Sequence, residues 1–336
     1  MFISDYIQYL DDKYAEYIQH SYASSTAKNF YSTWCPFLQF HIDYGLQIFP
    51  PSYDNIQRYL IHVIHTKNYS YSSFNNLKSS IRSFYACYGF NIDMNHVQLR
   101  LITMSTKRTA STHASKKAPI TPLHLITIQS SIDFNDSVQF TVWTAILIGF
   151  YAALRKSNLA PPTPGEYDPS KHLSRRDIVV SDHGLTIFLD WTKTLQDRSK
   201  TFTIHVAKPP PASVVDPVAT FIRFNQLHPV NPEDPAFSFY TSPRPSKLYV
   251  LSQSYLNKSI KDFMQSLGED PINYSCHSLR RGSACIMSQS NLSPDLIQNH
   301  GTWTSSAYKG YIDFTTQQKL SVTQAMYHTI NKLACK

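Results

Sequence analysis

The chain has 336 residues, 42% hydrophobic and 16% charged, which is enough apolar material for a core and excludes a disordered chain; the length predicts two domains. A formal charge of +8 favours a polyanionic partner, nucleic acid before membrane. Nine glycines with neither GxGxxG nor GxxxxGK(S/T) argue against a nucleotide-phosphate loop, and five scattered cysteines with no CxxC pair argue against a disulfide framework or a zinc ribbon.

Residues 1–104 read as a small all-α domain. DYIQYLDDKYAEYIQH carries apolar and aromatic residues at helical spacing. Its early acids and missing apolar core are unlike a signal peptide. SSTAKNFYSTWCPFLQFHIDYG opens on serine caps and sets Phe30, Trp34, Leu38 and Phe40 down one side; residues 52–65 and 72–88 give a third and a fourth helix. No run of about 18 apolar residues offers a membrane span, so a soluble, intracellular protein is expected.

Residues 105–119, STKRTASTHASKKAP, lose the hydrophobic period. They hold Lys107, Arg108, Lys116 and Lys117 and no acid, whereas residues 1–104 balance 7 basic against 7 acidic and residues 120–336 hold 20 against 16. The segment reads as a basic linker, either simply solvated or a strap whose lysines meet DNA phosphates. Residues 120–314 form the second domain. TPLHLITIQSSI and the longer, buried VQFTVWTAILIGFYAAL read as helices. RRDIVVSDHGLTIFLDWTKTLQDRSKTFTIHVA alternates as about three antiparallel strands turning at SDHG and QDRSK. Helices follow at 216–227, 252–268, 277–289, 294–299 and 305–311. A tail helix over 315–334, with Leu320, Val322, Ala325, Met326, Ile330 and Leu333, would have an apolar face for packing in cis or docking in trans. The fold class is therefore mainly α with one small antiparallel sheet.

Phosphoryl transfer to a tyrosine needs a base for the phenol, forked cations on the non-bridging oxygens and an acid for the leaving alkoxide. HSLRRG places His277 and Arg280 on one helix face. Arg155 closes the apolar helix ending in YAALR, and Lys193 stands at a strand end. NHGTWTSSAYKGYIDF offers His300, Trp303, Tyr308 and Tyr311. Each signal is weak alone. In the order ALRKSNL, WTKT, HSLRRG, GTW and a late tyrosine, they resemble the tyrosine recombinase (integrase) family over residues 155–311. LRKSNLAPP and GTWTSSAYKGYI look closer to eukaryotic mobile-element recombinases of crypton or DIRS-like type.

The resemblance implies a helical core-binding domain, a catalytic domain and the following roles. Arg155 and Arg280 clamp the scissile phosphate, Lys193 is the general acid, His277 the base or proton shuttle, and Trp303 donates its indole N–H or buttresses the tyrosine helix. Tyr311 forms a 3′-phosphotyrosine. It also implies no cofactor or metal, double-stranded DNA as partner, a dimer on each site and a tetramer in synapsis, and a nuclear location. The sequence departs from the family at Asn158, where relatives carry a glutamate. His300 could replace Trp303, and Tyr308 is the rival phenol. A type IB topoisomerase-like relaxing enzyme and a non-catalytic DNA-binding protein are the competing functions.

Overall fold

Ile56, Leu60 and Val63 recur at i, i+4 and i+7, as do Phe74, Leu77, Ile81 and Phe84 at nearly the same period. Such stripes are stable as helices only when they face one another. In the computed structural model they do, in the first of two units, residues 1–115. The structure describes residues 24–67, 69–109, 117–191, 201–241, 247–290 and 292–312, with isolated positions within 10–17 and 320–326. Helices α1 (Ser24–Asp43), α2 (Tyr53–Lys67), α3 (Tyr71–Cys87) and α4 (Val97–Thr109) enclose a core of Phe37, Tyr59, Leu60, Phe74, Phe84, Tyr85 and Leu99. Phe37 meets Tyr59 edge-on at 5.0 Å and Phe84 at 5.7 Å, the arrangement ring quadrupoles favour. Trp34 donates its indole N–H to the Ser80 carbonyl at 2.8 Å.

One expectation changes here, at the linker. The helix predicted over residues 5–20 lies almost wholly outside the described residues. The linker does not begin at 105: α4 runs to Thr109, so Lys107 and Arg108 sit exposed on its last turn, where basic groups face the helix's negative end. Leu99 and Ile102 pack on the core, and the buried face continues to Thr106, whose hydroxyl donates to the Ile102 carbonyl at 2.9 Å, so an apolar period alone does not mark the helix end. Lys116 lies outside the described residues. Lys117 donates its ammonium to the Ile272 carbonyl.

The second unit, residues 116–336, is built round α6 (Ser137–Tyr151), which is buried continuously from Phe140 to Phe150. A helix apolar all round has to be central. Before it, α5 (Pro122–Ser131) starts at a capping box formed by Thr121 and His124. A turn of helix, α7 (Lys156–Leu159), follows it. Strands β1 (Ile178–Ser181), β2 (Gly184–Leu189) and β3 (Phe202–Ala207) form an antiparallel meander, with Ile178 opposite Ile187 and Leu189 opposite Phe202. Leu185, Ile187, Leu189, Ile204 and Val206 face the core and alternate with exposed residues. Helix α8 (Pro217–Leu227) packs on α6. A second hairpin, β4 (Ser238–Tyr240) with β5 (Leu248–Val250), was not foreseen, because strands of three residues carry almost no period. Helices α9 (Gln253–Ser266), α10 (Cys276–Gln289) and α11 (Pro294–His300) follow, then a 3₁₀ turn at Ser306–Tyr311.

Gly282 lets α10 approach the segment entering the unit. A Cβ there would fall 2.0 Å from the Ile120 carbonyl oxygen. That segment is bound to the α10 region through Ala118 N–H to Asn273 O (2.7 Å) and Ile120 N–H to Ser278 O (3.1 Å). The predicted tail helix lies almost wholly outside the described residues. No helix among the described residues is long and apolar enough to cross a membrane.

Candidate active site

Ser275 caps α10 and accepts the His277 N–H, which sets His277 in the first turn and Arg280 one turn later. Arg280 is 3% exposed. Its guanidinium donates to the Ala153 carbonyl through Nη1 and to the Gly301 carbonyl through Nη2. Both carbonyls belong to helix ends. After α6, Leu154 N–H reaches Gly149 O (3.0 Å) and Ala153 N–H reaches Phe150 O (3.1 Å). After α11, Trp303 N–H reaches Gln298 O (3.0 Å) and Thr302 N–H reaches Asn299 O (2.9 Å). Each pair is the closure of a Schellman motif, in which one residue turns left-handed. Those residues are Ala153 (φ 48°) and Thr302 (φ 51°). Neither is glycine, and each position stores about 1–3 kcal/mol of strain.

One guanidinium therefore joins two helix C-termini, whose partial negative charge stabilises it. Burial, then the like charge of Arg155, holds Arg280 below the usual guanidinium range, opposed by Tyr311; it remains a cation at neutral pH. The Trp303 ring lies 4.1 Å from its Cζ, a desolvated cation–π contact. Gly301 makes room for that ring: a Cβ there would fall 1.7 Å from Trp303 Cζ3. The Trp303 indole N–H is buried and has no hydrogen-bond partner among the described residues.

Arg155 does not end the apolar helix, as its spacing suggested. The Ala153 turn closes α6 at Tyr151, and Arg155 is the N-cap of α7. Its side chain is half-buried, with Nη1 donating to Thr302 Oγ1 at 3.4 Å. Burial lowers its pKa, and Tyr311 opposes the shift. Asn158 does not support it. The Asn158 amide donates instead to the Trp191 carbonyl at 2.9 Å, just past β2.

Tyr311 ends the 3₁₀ turn that Ser305 caps. His277 meets its ring edge-on, with centroids 5.0 Å apart. Desolvation, then the positive charges of Arg280, Arg281 and Arg155, lowers the His277 pKa, so the imidazole is neutral at pH 7 and able to accept a proton. Cys285 Sγ donates to the Tyr311 carbonyl at 3.1 Å. Tyr311 is partly exposed, whereas Tyr308 is 2% exposed and packs on Trp303 at 5.5 Å, beside Ala153, Ala284 and Ile297. His300 turns away: its Nε2 pairs with the Tyr151 carbonyl at 2.7 Å. Lys193 lies outside the described residues. Arg155, His277, Arg280, Trp303 and Tyr311 thus converge from α6–α7, α10 and the chain after α11.

Several solved structures share this architecture over most of the chain. The XerH site-specific recombinase, in a post-cleavage complex with palindromic difH substrate, matches with a TM-score of 0.58 at 15% identity, covering 87% of this chain and 76% of that one. The Tn1549 transposon integrase (residues 82–397), in complex with circular intermediate DNA, matches with a TM-score of 0.57 at 15% identity, covering 92% and 97%. A lambda integrase (75–356) dimer bound to a COC′ core site matches at 0.55 and 16%, covering 91% and 94%.

The fold is that of the tyrosine recombinases. No protein-family model matches the sequence, and no curated protein matches it. Within this recombinase fold, sequence reasoning missed the two carbonyls that hold Arg280, the Thr302 hydroxyl beside Arg155, and Cys285. Carbonyls leave no trace in residue type, and alanine and threonine are not turn signals. The HG pair before Thr302 was the one available helix-stop cue.

Proposed function

We propose that this chain is a site-specific DNA recombinase that cleaves and rejoins double-stranded DNA through a 3′-phosphotyrosine. The observation that carries the reading is the setting of Tyr311: a partly exposed ring whose centroid lies 5.0 Å from the neutral His277 imidazole and 6.2 Å from the Trp303 ring that covers Arg280. A phenol ordinarily ionises near pH 10; two guanidiniums and an acceptor lower the barrier to its attack. The DNA-bound recombinases of the same fold support duplex DNA as the substrate.

In the proposed step, the Tyr311 phenol oxygen forms a bond to phosphorus as His277 takes its proton. The bond from phosphorus to the 5′-oxygen breaks, and Lys193 protonates that oxygen. Arg155 and Arg280 hold the non-bridging oxygens, where charge develops. The Trp303 indole N–H, buried and unpartnered among the described residues, is suited to donate to one of them. The reverse step, attack by a 5′-hydroxyl, rejoins the strand without an added energy source. A dimer on each site, a tetramer in synapsis, a mobile-element origin and a nuclear location belong to the same proposal.

The test is covalent trapping on a nicked duplex made from the ends of the element that encodes the chain. The unchanged protein should yield a protein–DNA adduct and Tyr311→Phe none. Tyr308→Phe should still yield it, since that ring is packed. An adduct with Tyr311→Phe, or its loss only with Tyr308→Phe, overturns the assignment of the nucleophile.

A further inference from the structure

Thr302 stands where a helix ends in the left-handed conformation, a place that glycine fills without strain and a β-branched residue does not. Its φ is 51°, it is 5% exposed, and its neighbours fix it there: the Asn299 carbonyl holds its N–H and the Gly301 carbonyl before it holds Arg280. A strained, over-determined residue beside a reactive group is a sign of function. Its side chain supplies a second, independent sign. Oγ1 accepts from Arg155 Nη1 at 3.4 Å, and among the described residues the hydroxyl has no acceptor for its own proton.

Resting on the function proposed above, we infer that Thr302 is a ligand of the scissile phosphate, its hydroxyl accepting from Arg155 and donating to the non-bridging oxygen that Arg155 holds. A hydroxyl both accepts and donates, so it extends the reach of the guanidinium and fixes one fork of it. This also explains how Arg155 is held although Asn158 points to Trp191. A hydroxyl, unlike a carboxylate, cancels none of the guanidinium charge offered to the phosphate. The 3.4 Å contact is long, as catalytic hydrogen bonds measured without substrate commonly are.

Single-turnover adduct formation by the full chain on the nicked duplex tests this. Thr302→Gly should raise the melting temperature, because the left-handed strain is relieved, and yet slow cleavage about 10- to 100-fold, the loss expected for one charge-assisted hydrogen bond. Thr302→Ser should recover most of the rate, and Thr302→Val should recover none. Stereopure phosphorothioates at the scissile position identify the oxygen. One diastereomer should slow the unchanged protein more than the other, and that difference should vanish in Thr302→Gly; a merely structural residue would leave the ratio unaltered. Cleavage by Thr302→Gly at the unchanged rate, or an unaltered diastereomer ratio, sinks this inference alone. Failure of the unchanged chain to form any adduct removes the recombinase reading and this inference with it.

Discussion

At the scale of the residue, the site is organised around a cation that never needs a carboxylate. Arg280 is buried against two helix-end carbonyls and an indole ring. Anionic partners would compete with a phosphate for it; carbonyl dipoles and a ring quadrupole hold the charge and leave it uncancelled. The same positive field acts on His277. Its pKa lies below 6.5 through desolvation and through Arg280, Arg281 and Arg155. The sign follows: the neutral imidazole is the base, so cleavage should fall as pH drops through a midpoint that lies below the ordinary imidazole value. In kcat/KM against pH, which reports the free enzyme, more than half the plateau should persist at about pH 6.5. His277→Gln should remove that acid limb along with most of the rate. A midpoint above that ordinary imidazole value would contradict the placement of His277 among the guanidiniums.

At the scale of the element, ends matter more than lengths. Helices α6 and α11 finish on the same guanidinium, and α10 brings that guanidinium, His277 and Cys285 to one place. The end of α4 has a different consequence. Lys107 and Arg108 are fixed on a helical turn, with Lys107 over the Tyr71 ring at 5.9 Å, and are not free on a strap. If they meet DNA phosphates, replacing both by alanine should weaken binding alike on every sequence. It should also reduce the slope of log K against log salt by roughly two, about 0.9 for each phosphate that is no longer neutralised. Titration of a labelled duplex at several salt concentrations measures it. An unchanged slope would place these residues off the DNA.

At the scale of the whole molecule, the described residues form cores that stay within one unit or the other: a single cluster in the first, and in the second a large one with a smaller one around Trp303 and Tyr308. The units should therefore respond to solvent separately. His41 belongs to the first: it is fully buried, with Nδ1 on the Phe37 carbonyl at 2.9 Å and Nε2 unpartnered among the described residues. Desolvation lowers its pKa below 6.5, partly opposed by that carbonyl. A depressed folded pKa means that the stability His41 contributes is complete above its ordinary value and is lost as pH falls through the folded one. Thermal unfolding between about pH 7.5 and 5, the range that spans an imidazole's titration, should show the first unit's transition moving down in acid, and His41→Phe should flatten that movement. The transition of the second unit is the internal comparison, and equal acid shifts in His41→Phe and the unchanged chain would refute the assignment.

Much of this was legible in the sequence. Helical stripes such as Ile56, Leu60 and Val63, the alternation of residues 178–206 and the all-apolar run before Ala152 determined the fold class, because periodicity states which face is buried. The order Arg155, Lys193, His277, Arg280, Trp303, Tyr311 determined the family resemblance. Pattern alone could not decide what these groups touch. Tyr308 and Tyr311 are the same residue type three positions apart, and only packing buries one and exposes the other. Asn158 pointed by spacing to Arg155, yet its amide goes to Trp191. Thr302 had no signal, since its importance comes from a left-handed helix end meeting an arginine 147 positions earlier in the chain. Sequence specifies local period and chemical type; tertiary structure decided which carbonyl, hydroxyl and phenol face the guanidiniums, because those contacts are long-range and made by groups with no pattern of their own.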